Sequence, residues 1–172
     1  MFTKDAIRYS LDLAEQGILQ PLASIEDAPT TFPTPNGGAH PLWVLGHLTY
    51  VEGLAHQLLE IGPNPAADWA KFFEQGTTPV ADASQYPPIA IVRECYTDLR
   101  KRTLAKLDSM TEADLDTPTK FQPAGLESHF DTYGKTLLTL AMHQALHRSH
   151  ITDAVRAAGR SSELTARLRN AA

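Results

Sequence analysis

Cysteine is nearly missing from this chain of 172 residues, which contains only Cys95. A single cysteine cannot form an internal disulfide, and it excludes zinc sites built from several thiolates. No apolar run approaches the roughly 20 residues of a membrane-spanning helix, and the first residues lack the basic-then-apolar order of a signal peptide. We therefore expect a soluble, cytoplasmic protein with no membrane partner.

Blocks of positive charge are also missing. The chain has 15 Lys and Arg against 20 Asp and Glu, a formal net charge of -5, with the two signs interspersed. Nucleic-acid binders usually carry a basic patch or stripe, so we expect no nucleic-acid partner. The arginines from Arg156 to Arg169 fit a solvated helix end, where cations complement the helix dipole.

Phosphate-binding glycine motifs and the motifs of serine or cysteine nucleophiles do not occur in the sequence either. The length suits one domain that can bury its own core. We predict a single domain over residues 1–160, followed over 161–172 by a tail or a short helix.

Four segments repeat apolar residues at the spacing of an amphipathic helix. Pro21 is expected to end the first of them, and Gly159 is placed to cap the last. The outer face of the third is expected to meet water through charged residues that include Arg100. The predicted helices run from about Lys4 to Gln20, from Pro41 to Gly62, from Pro87 to Leu107 and from Thr132 to Ala158.

Two long connections separate these helices. The first, residues 23–40, is rich in Pro, Thr and Gly, whereas the second, residues 62–87, contains Trp69, Phe72 and Phe73. This aromatic content predicts packing over the helices and allows a short helix, and the three rings either anchor the loop or form an apolar lid. Together the segments predict an all-α fold, a four-helix bundle with at least one crossover connection.

The most informative motif is HQALH, residues 143–147. Residues four apart lie on the same face of a helix, so His143 and His147 can aim two imidazoles at one point. Both belong to the apolar stripe of the fourth helix, so we expect both rings to face the core. Because residue 144 is Gln, the Glu that serves as general base in a zinc-protease helix is missing.

A third ligand should come from another helix, and His47 qualifies because apolar and aromatic residues surround it on the second helix. A single core histidine is more often a neutral residue that makes a hydrogen bond. Three buried imidazoles together favour a metal, because they would be costly without a cation. Such a site suits Zn or Ni, and also Fe, Co or Mn, with other positions open to water or substrate.

This pattern resembles the DinB/YfiT-like superfamily over most of the chain. The family combines a histidine in the second helix with HxxxH in the fourth, matched here by His47, His143 and His147. The letters HRSHI at 147–151 are similar to the family's frequent HRGQI and depart from it at the third and fourth letters. The resemblance implies a metal-binding four-helix bundle in which these three histidines are the ligands.

The family includes thiol-dependent transferases or isomerases that use mycothiol, bacillithiol or glutathione, and proteins described as metal-dependent hydrolases. The fold does not choose among these activities. For this chain the resemblance implies a metal-dependent S-transferase acting on a small molecule with a low-molecular-weight thiol cosubstrate, a hydrolase, or a non-catalytic bundle that binds metal or a small ligand. A purely structural protein without metal is a further alternative. Members often pair, so a homodimer is expected by resemblance.

Three residues near the ligands are predicted pocket residues. Tyr50, one turn after His47, either places its hydroxyl near the metal or is a core tyrosine with its hydroxyl at the bundle edge. His150, three residues after His147, lines the cavity, competes as a ligand or lies on the surface. Trp43, one turn before His47, is the third.

The remaining acids and histidines have weaker claims. Glu52 and Asp153 are the acids nearest the ligand stretches, and each either orients a ligand imidazole through its second nitrogen or is a solvated charge. His40, His56 and His129 have no partner at metal-ligand spacing, so we expect ordinary surface or loop residues.

Overall fold

The computed structural model describes residues 2–32 and 39–160, which fold into helices without a strand. This confirms the all-α class for the described residues, whereas the predicted tail over 161–172 lies outside them. None of the described helices has the length and apolar character needed to cross a bilayer. The four long helices are α1 (Thr3–Ala23), α2 (Pro41–Leu58), α4 (Ile89–Ser109) and α6 (Tyr133–Ala157), and the one-turn helices are α3 (Ala70–Phe73) and α5 (Glu127–Phe130).

Contacts between the long helices establish their directions. α2 runs antiparallel to α6 and parallel to α4, so the chain between α2 and α4, residues 59–88, has to return along the helices. The contacting pairs with α6 are His47–His143 and, two residues after the end of α2, Glu60–Tyr133. The pairs between α2 and α4 are Glu52–Arg100 and His56–Thr103.

The helix α2 is buried on nearly all sides, because α4, α6 and α3 all pack against it. This position explains why its sequence is so apolar for a helix of a small protein. By contrast, α1 is amphipathic and buries Ile7, Leu11, Ala14 and Ile18, as its periodicity predicts. Burying a large apolar side chain of this kind contributes about 1.5–3 kcal/mol.

The ends of the helices follow their local sequence in most cases. Thr132 caps α6 by accepting a hydrogen bond from the Lys135 N–H at 3.3 Å, and Gly159 adopts the left-handed φ of 72° expected of a C-terminal glycine. The prediction that Pro21 ends α1 is wrong. A proline removes its own N–H bond and crowds the preceding turn, but the Ser24 N–H still reaches the Gln20 carbonyl, so α1 continues to Ala23.

The connection from α2 to α4 is anchored on the core by its aromatic residues. Phe73 is fully buried and stacks on Tyr86 with ring centroids 5.5 Å apart, while Trp69 and Phe72 pack against the same cluster. The short helix α3 lies within this connection. Of the two alternatives for these rings, the structure therefore supports the anchor.

The expectation that Arg100 faces water is wrong. Its side chain is 1 % exposed, and its guanidinium donates to the Glu52 carboxylate at 2.6 Å and to the Leu11 carbonyl at 3.3 Å. Periodicity assigns a charged residue to the outer face, because the pattern contains no information about a partner 48 residues away along the chain. Arg100 of α4 therefore extends its guanidinium to α1 and α2.

Candidate metal centre

Three imidazoles meet where α2 crosses α6. His47 is provided by α2, and His143 and His147 lie one turn apart on α6. One ring nitrogen from each lies within 4.8 Å of the other two, and the Nε2 atoms of His47 and His143 are 3.2 Å apart. The convergence that the spacing predicts is therefore present in the fold.

The separation of these nitrogens fits a shared metal ion. Zinc binds histidine nitrogen at about 2.0–2.1 Å, so two nitrogens at tetrahedral positions around one ion lie about 3.3 Å apart. The 3.2 Å between the His47 and His143 nitrogens is close to this value. Three imidazoles would leave a fourth position for water or another ligand.

The second nitrogens of two rings are held by neighbours. The His47 Nδ1 atom lies 2.7 Å from the Phe73 carbonyl, and the His147 Nδ1 atom lies 3.3 Å from the Nδ1 atom of His150. A carbonyl oxygen only accepts hydrogen bonds, so the His47 Nδ1 atom must carry the proton. The Nε2 lone pair of His47 is thereby free for a metal, which is the usual arrangement of histidine ligands.

Trp43 restrains the same histidine from another side. Its ring lies almost parallel to the His47 ring, with centroids 4.8 Å apart and planes at 7°. The indole Nε1 atom donates to the Thr77 hydroxyl at 3.0 Å, which holds Trp43 in turn. The predicted pocket residue Trp43 is thus a wall that packs on His47.

All three rings are held neutral by their surroundings. Burial, followed by the neighbouring His47, lowers the pKa of His143 to about 4. Burial together with the nearby imidazoles lowers the pKa of His147 to about 3, and burial lowers the pKa of His47 as well. Neutral imidazoles offer their lone pairs at pH 7, so a cation need not displace protons from them.

A family model described as the DinB superfamily matches residues 10–151. The chain belongs to the DinB superfamily. The matched region spans α2 and α6 as far as Ile151 and so contains all three histidines. Members of this superfamily typically bind a divalent metal ion. A comparison with curated protein sequences gives no match at the significance required.

The other two predicted pocket residues of this DinB-superfamily domain are His150 and Tyr50. His150 is half-buried and contacts His147, with ring centroids 5.4 Å apart. Tyr50 is 8 % exposed, and its environment raises the pKa of its hydroxyl, first through burial and then through the Glu74 carboxylate. The burial of its side chain favours the alternative of a core tyrosine.

Glu52 has neither of the roles that the sequence suggests for it. It is fully buried, so it is not a solvated charge, and its carboxylate binds Arg100, Thr103 and Gln144. Gln144, next to His143, is also buried, and its side-chain amide donates to Glu52 within this polar network. Asp153 forms an ion pair with Arg156 of the same helix, with 2.8 Å between its carboxylate oxygen and the guanidinium nitrogen.

Two of the histidines expected to be ordinary surface or loop residues are buried: His40 does lie in the connection before α2, whereas for His56, inside that helix, the expectation is wrong. His40 is the N-cap of α2, where its Nδ1 atom accepts from the Trp43 N–H at 3.0 Å. His56 is fully buried, and its Nε2 atom contacts the Leu99 carbonyl and the Thr103 hydroxyl. Proline at the first helical position could have signalled the cap, because the residue before it is then the N-cap. His129 is exposed, as expected.

Proposed function

We propose that this protein binds one divalent transition metal through His47, His143 and His147 and uses it to act on a small molecule with a low-molecular-weight thiol. The observation that supports the ligand set is the convergence of three neutral imidazoles from α2 and α6. Zn and Ni are the first choices for a three-histidine site, and Fe, Co and Mn follow.

When bound, such a metal would lower the pKa of a coordinated water to about 7 and would deprotonate a coordinated thiol. The residues of the chain would hold and shield it. The Phe73 carbonyl orients His47, and Trp43 covers one face of that ring, whereas His143 and His147 are half-buried and can be reached from solvent. Since Gln144 supplies no general base, the site suits a cosubstrate that brings its own acidic proton, as a thiol does.

Metal binding is the first part to test. Native mass spectrometry of chelator-stripped and reconstituted protein should show one metal ion per chain. The double variant His47→Ala, His143→Ala should lose this ion, whereas His129→Ala, which removes an exposed imidazole, should keep it. Equal metal uptake by the double variant would discard the site.

The chemistry requires a second test on the cobalt-loaded protein. A small thiol or azide should change the visible spectrum, because the fourth position is expected to accept an outside ligand. Thiol-transfer and hydrolysis assays on the metal-loaded form then separate the proposed transferase from a metal-dependent hydrolase. A spectrum that neither ligand perturbs would favour a non-catalytic bundle that only binds metal.

The remaining features of the proposal concern architecture and assembly. The directions of the long helices support a four-helix bundle in which residues 59–88 form the crossover. Exposed apolar side chains on α1 and α6, such as Leu13, Met142 and Leu146, support a homodimer. Light scattering of Leu146→Glu, compared with the unchanged protein, tests that surface. A cytoplasmic location, supported by the single cysteine, belongs to the same proposal.

A further inference from the structure

Two glycines of α2 make room for the connection that follows it. A Cβ atom at Gly46 would overlap the ring of Phe73, with Cε1 and Cζ as the nearest atoms, and one at Gly53 would overlap the side-chain amide of Asn64. Gly46 and Gly53 are seven residues apart, or two helical turns, so they lie on the same face of α2. The α3 segment, which we define as residues 64–77, can dock in this position because both glycines lack a side chain.

Hydrogen bonds hold both ends of the α3 segment on α2. At the first end, the Asn64 amide donates to the Tyr50 carbonyl at 3.2 Å and accepts from the Ala66 N–H at 2.9 Å. At the other end, the Trp43 indole donates to the Thr77 hydroxyl at 3.0 Å. Between these anchors the fully buried Phe73 ring occupies the space at Gly46.

The consequence of this docking appears at the neighbouring residue of α2. The Phe73 carbonyl lies 2.7 Å from the His47 Nδ1 atom. Because the acceptor is a backbone atom, its position depends on how closely the α3 segment approaches α2, and hence on Gly46. A side chain at position 46 would push the Phe73 residue outward and break the hydrogen bond that fixes the His47 ring.

We propose that Gly46 and Phe73 are positioning residues, which act together to hold His47 in the Nδ1-protonated tautomer with its Nε2 lone pair directed at His143 and His147. This inference rests on the proposed metal site. Partners that fix the second nitrogen of a histidine ligand typically change metal affinity by 10–100-fold when they are lost.

The test begins with the variant Gly46→Ala. Alanine is a better helix former than glycine, so α2 should persist and the far-UV circular dichroism should be unchanged. In competition with a chelator, we expect the zinc dissociation constant to be 10–100-fold higher. Long-range proton–nitrogen NMR of the metal-free protein should show that the His47 Nδ1 proton is lost or exchanges rapidly with solvent.

Rescue separates positioning from a general loss of structure. Phe73→Ala removes the Cδ1, Cε1 and Cζ atoms that would overlap an alanine at position 46 and retains the backbone carbonyl. The double variant Gly46→Ala, Phe73→Ala should therefore recover the Nδ1 proton signal and most of the zinc affinity. Gly17→Ala is the matched control on α1, where a Cβ atom would meet only the flexible Arg148 side chain at 3.1 Å, and it should leave both readouts unchanged.

Three results would overturn the inference: an unchanged Nδ1 proton in Gly46→Ala, an unchanged zinc affinity in that variant, or a loss that Phe73→Ala does not recover. Failure of the proposed function looks different. If the unaltered protein binds no zinc, the metal site is wrong, yet the NMR readout in the metal-free protein still decides whether Gly46 and Phe73 set the tautomer of His47.

Discussion

Replacing Glu52 with glutamine should destabilise the protein by about 3–5 kcal/mol, the usual cost of breaking a buried ion pair from one side. The Glu52 carboxylate is 0 % exposed and accepts hydrogen bonds from Arg100 at 2.6 Å, Thr103 at 2.7 Å and Gln144 at 3.0 Å. Glutamine preserves the shape but removes the charge, so the buried guanidinium loses its counter-ion. For a chain of this length the change corresponds to a melting temperature lower by roughly 6–20 °C.

Urea unfolding followed by circular dichroism measures this effect directly. The midpoint should fall with little change in the slope, because the surface exposed on unfolding is nearly the same. Glu26→Gln is the matched control, since it breaks the exposed pair between Glu26 and Arg93 and should cost at most about 1 kcal/mol. The double variant Glu52→Gln, Arg100→Met should recover much of the lost stability, because no buried charge then lacks a partner. A loss below about 1 kcal/mol in Glu52→Gln would refute the assignment of this pair to the core.

Three further predictions concern the metal and pH. Chelator treatment should lower the melting temperature but leave the helical circular dichroism, since metal at 100 times its dissociation constant adds about 2.7 kcal/mol to a core that folds by itself; a random-coil apo form would contradict this. His147→Ala should abolish thiol transfer or hydrolysis measured on the metal-loaded protein, whereas His150→Gln should retain metal in native mass spectrometry, and loss of the ion in the latter variant would make His150 a ligand. Burial lowers the pKa of His56 below its usual value of 6.5. Near pH 6.5 the unfolded chain therefore binds a proton at His56 that the folded chain does not bind, and the stability should fall as the pH drops below 6.5. Urea midpoints of the metal-free protein between pH 7.5 and 5 should show a slope that His56→Gln reduces by up to one proton, and an unchanged slope would count against a buried neutral His56.

Local sequence was sufficient for the helices and for the histidine triad. Apolar periodicity placed the four long helices, with ends shifted by a few residues, because each helix must bury one stripe. The spacing of His143 and His147 placed both on one face, and the apolar neighbours of His47 pointed it inward. These inferences use only residues within a few turns of one another.

Interactions between distant segments were not predictable in this way. Arg100 and His56 look like surface residues on their own helices, because their partners Glu52 and Thr103 lie 48 and 47 residues away along the chain. The Phe73 carbonyl that orients His47 left no signal at all, since every residue has a carbonyl oxygen.

The sequence by itself therefore determined the all-helical class and the three imidazoles that could share a metal, because helical periodicity and the spacing of side chains on one helix are local properties. Only the tertiary structure decided which charges are buried and how the ring of His47 is held. Both depend on the direction in which α2, α4 and α6 pack and on the return of residues 59–88 across α2, where Gly46 allows the Phe73 backbone to approach the imidazole.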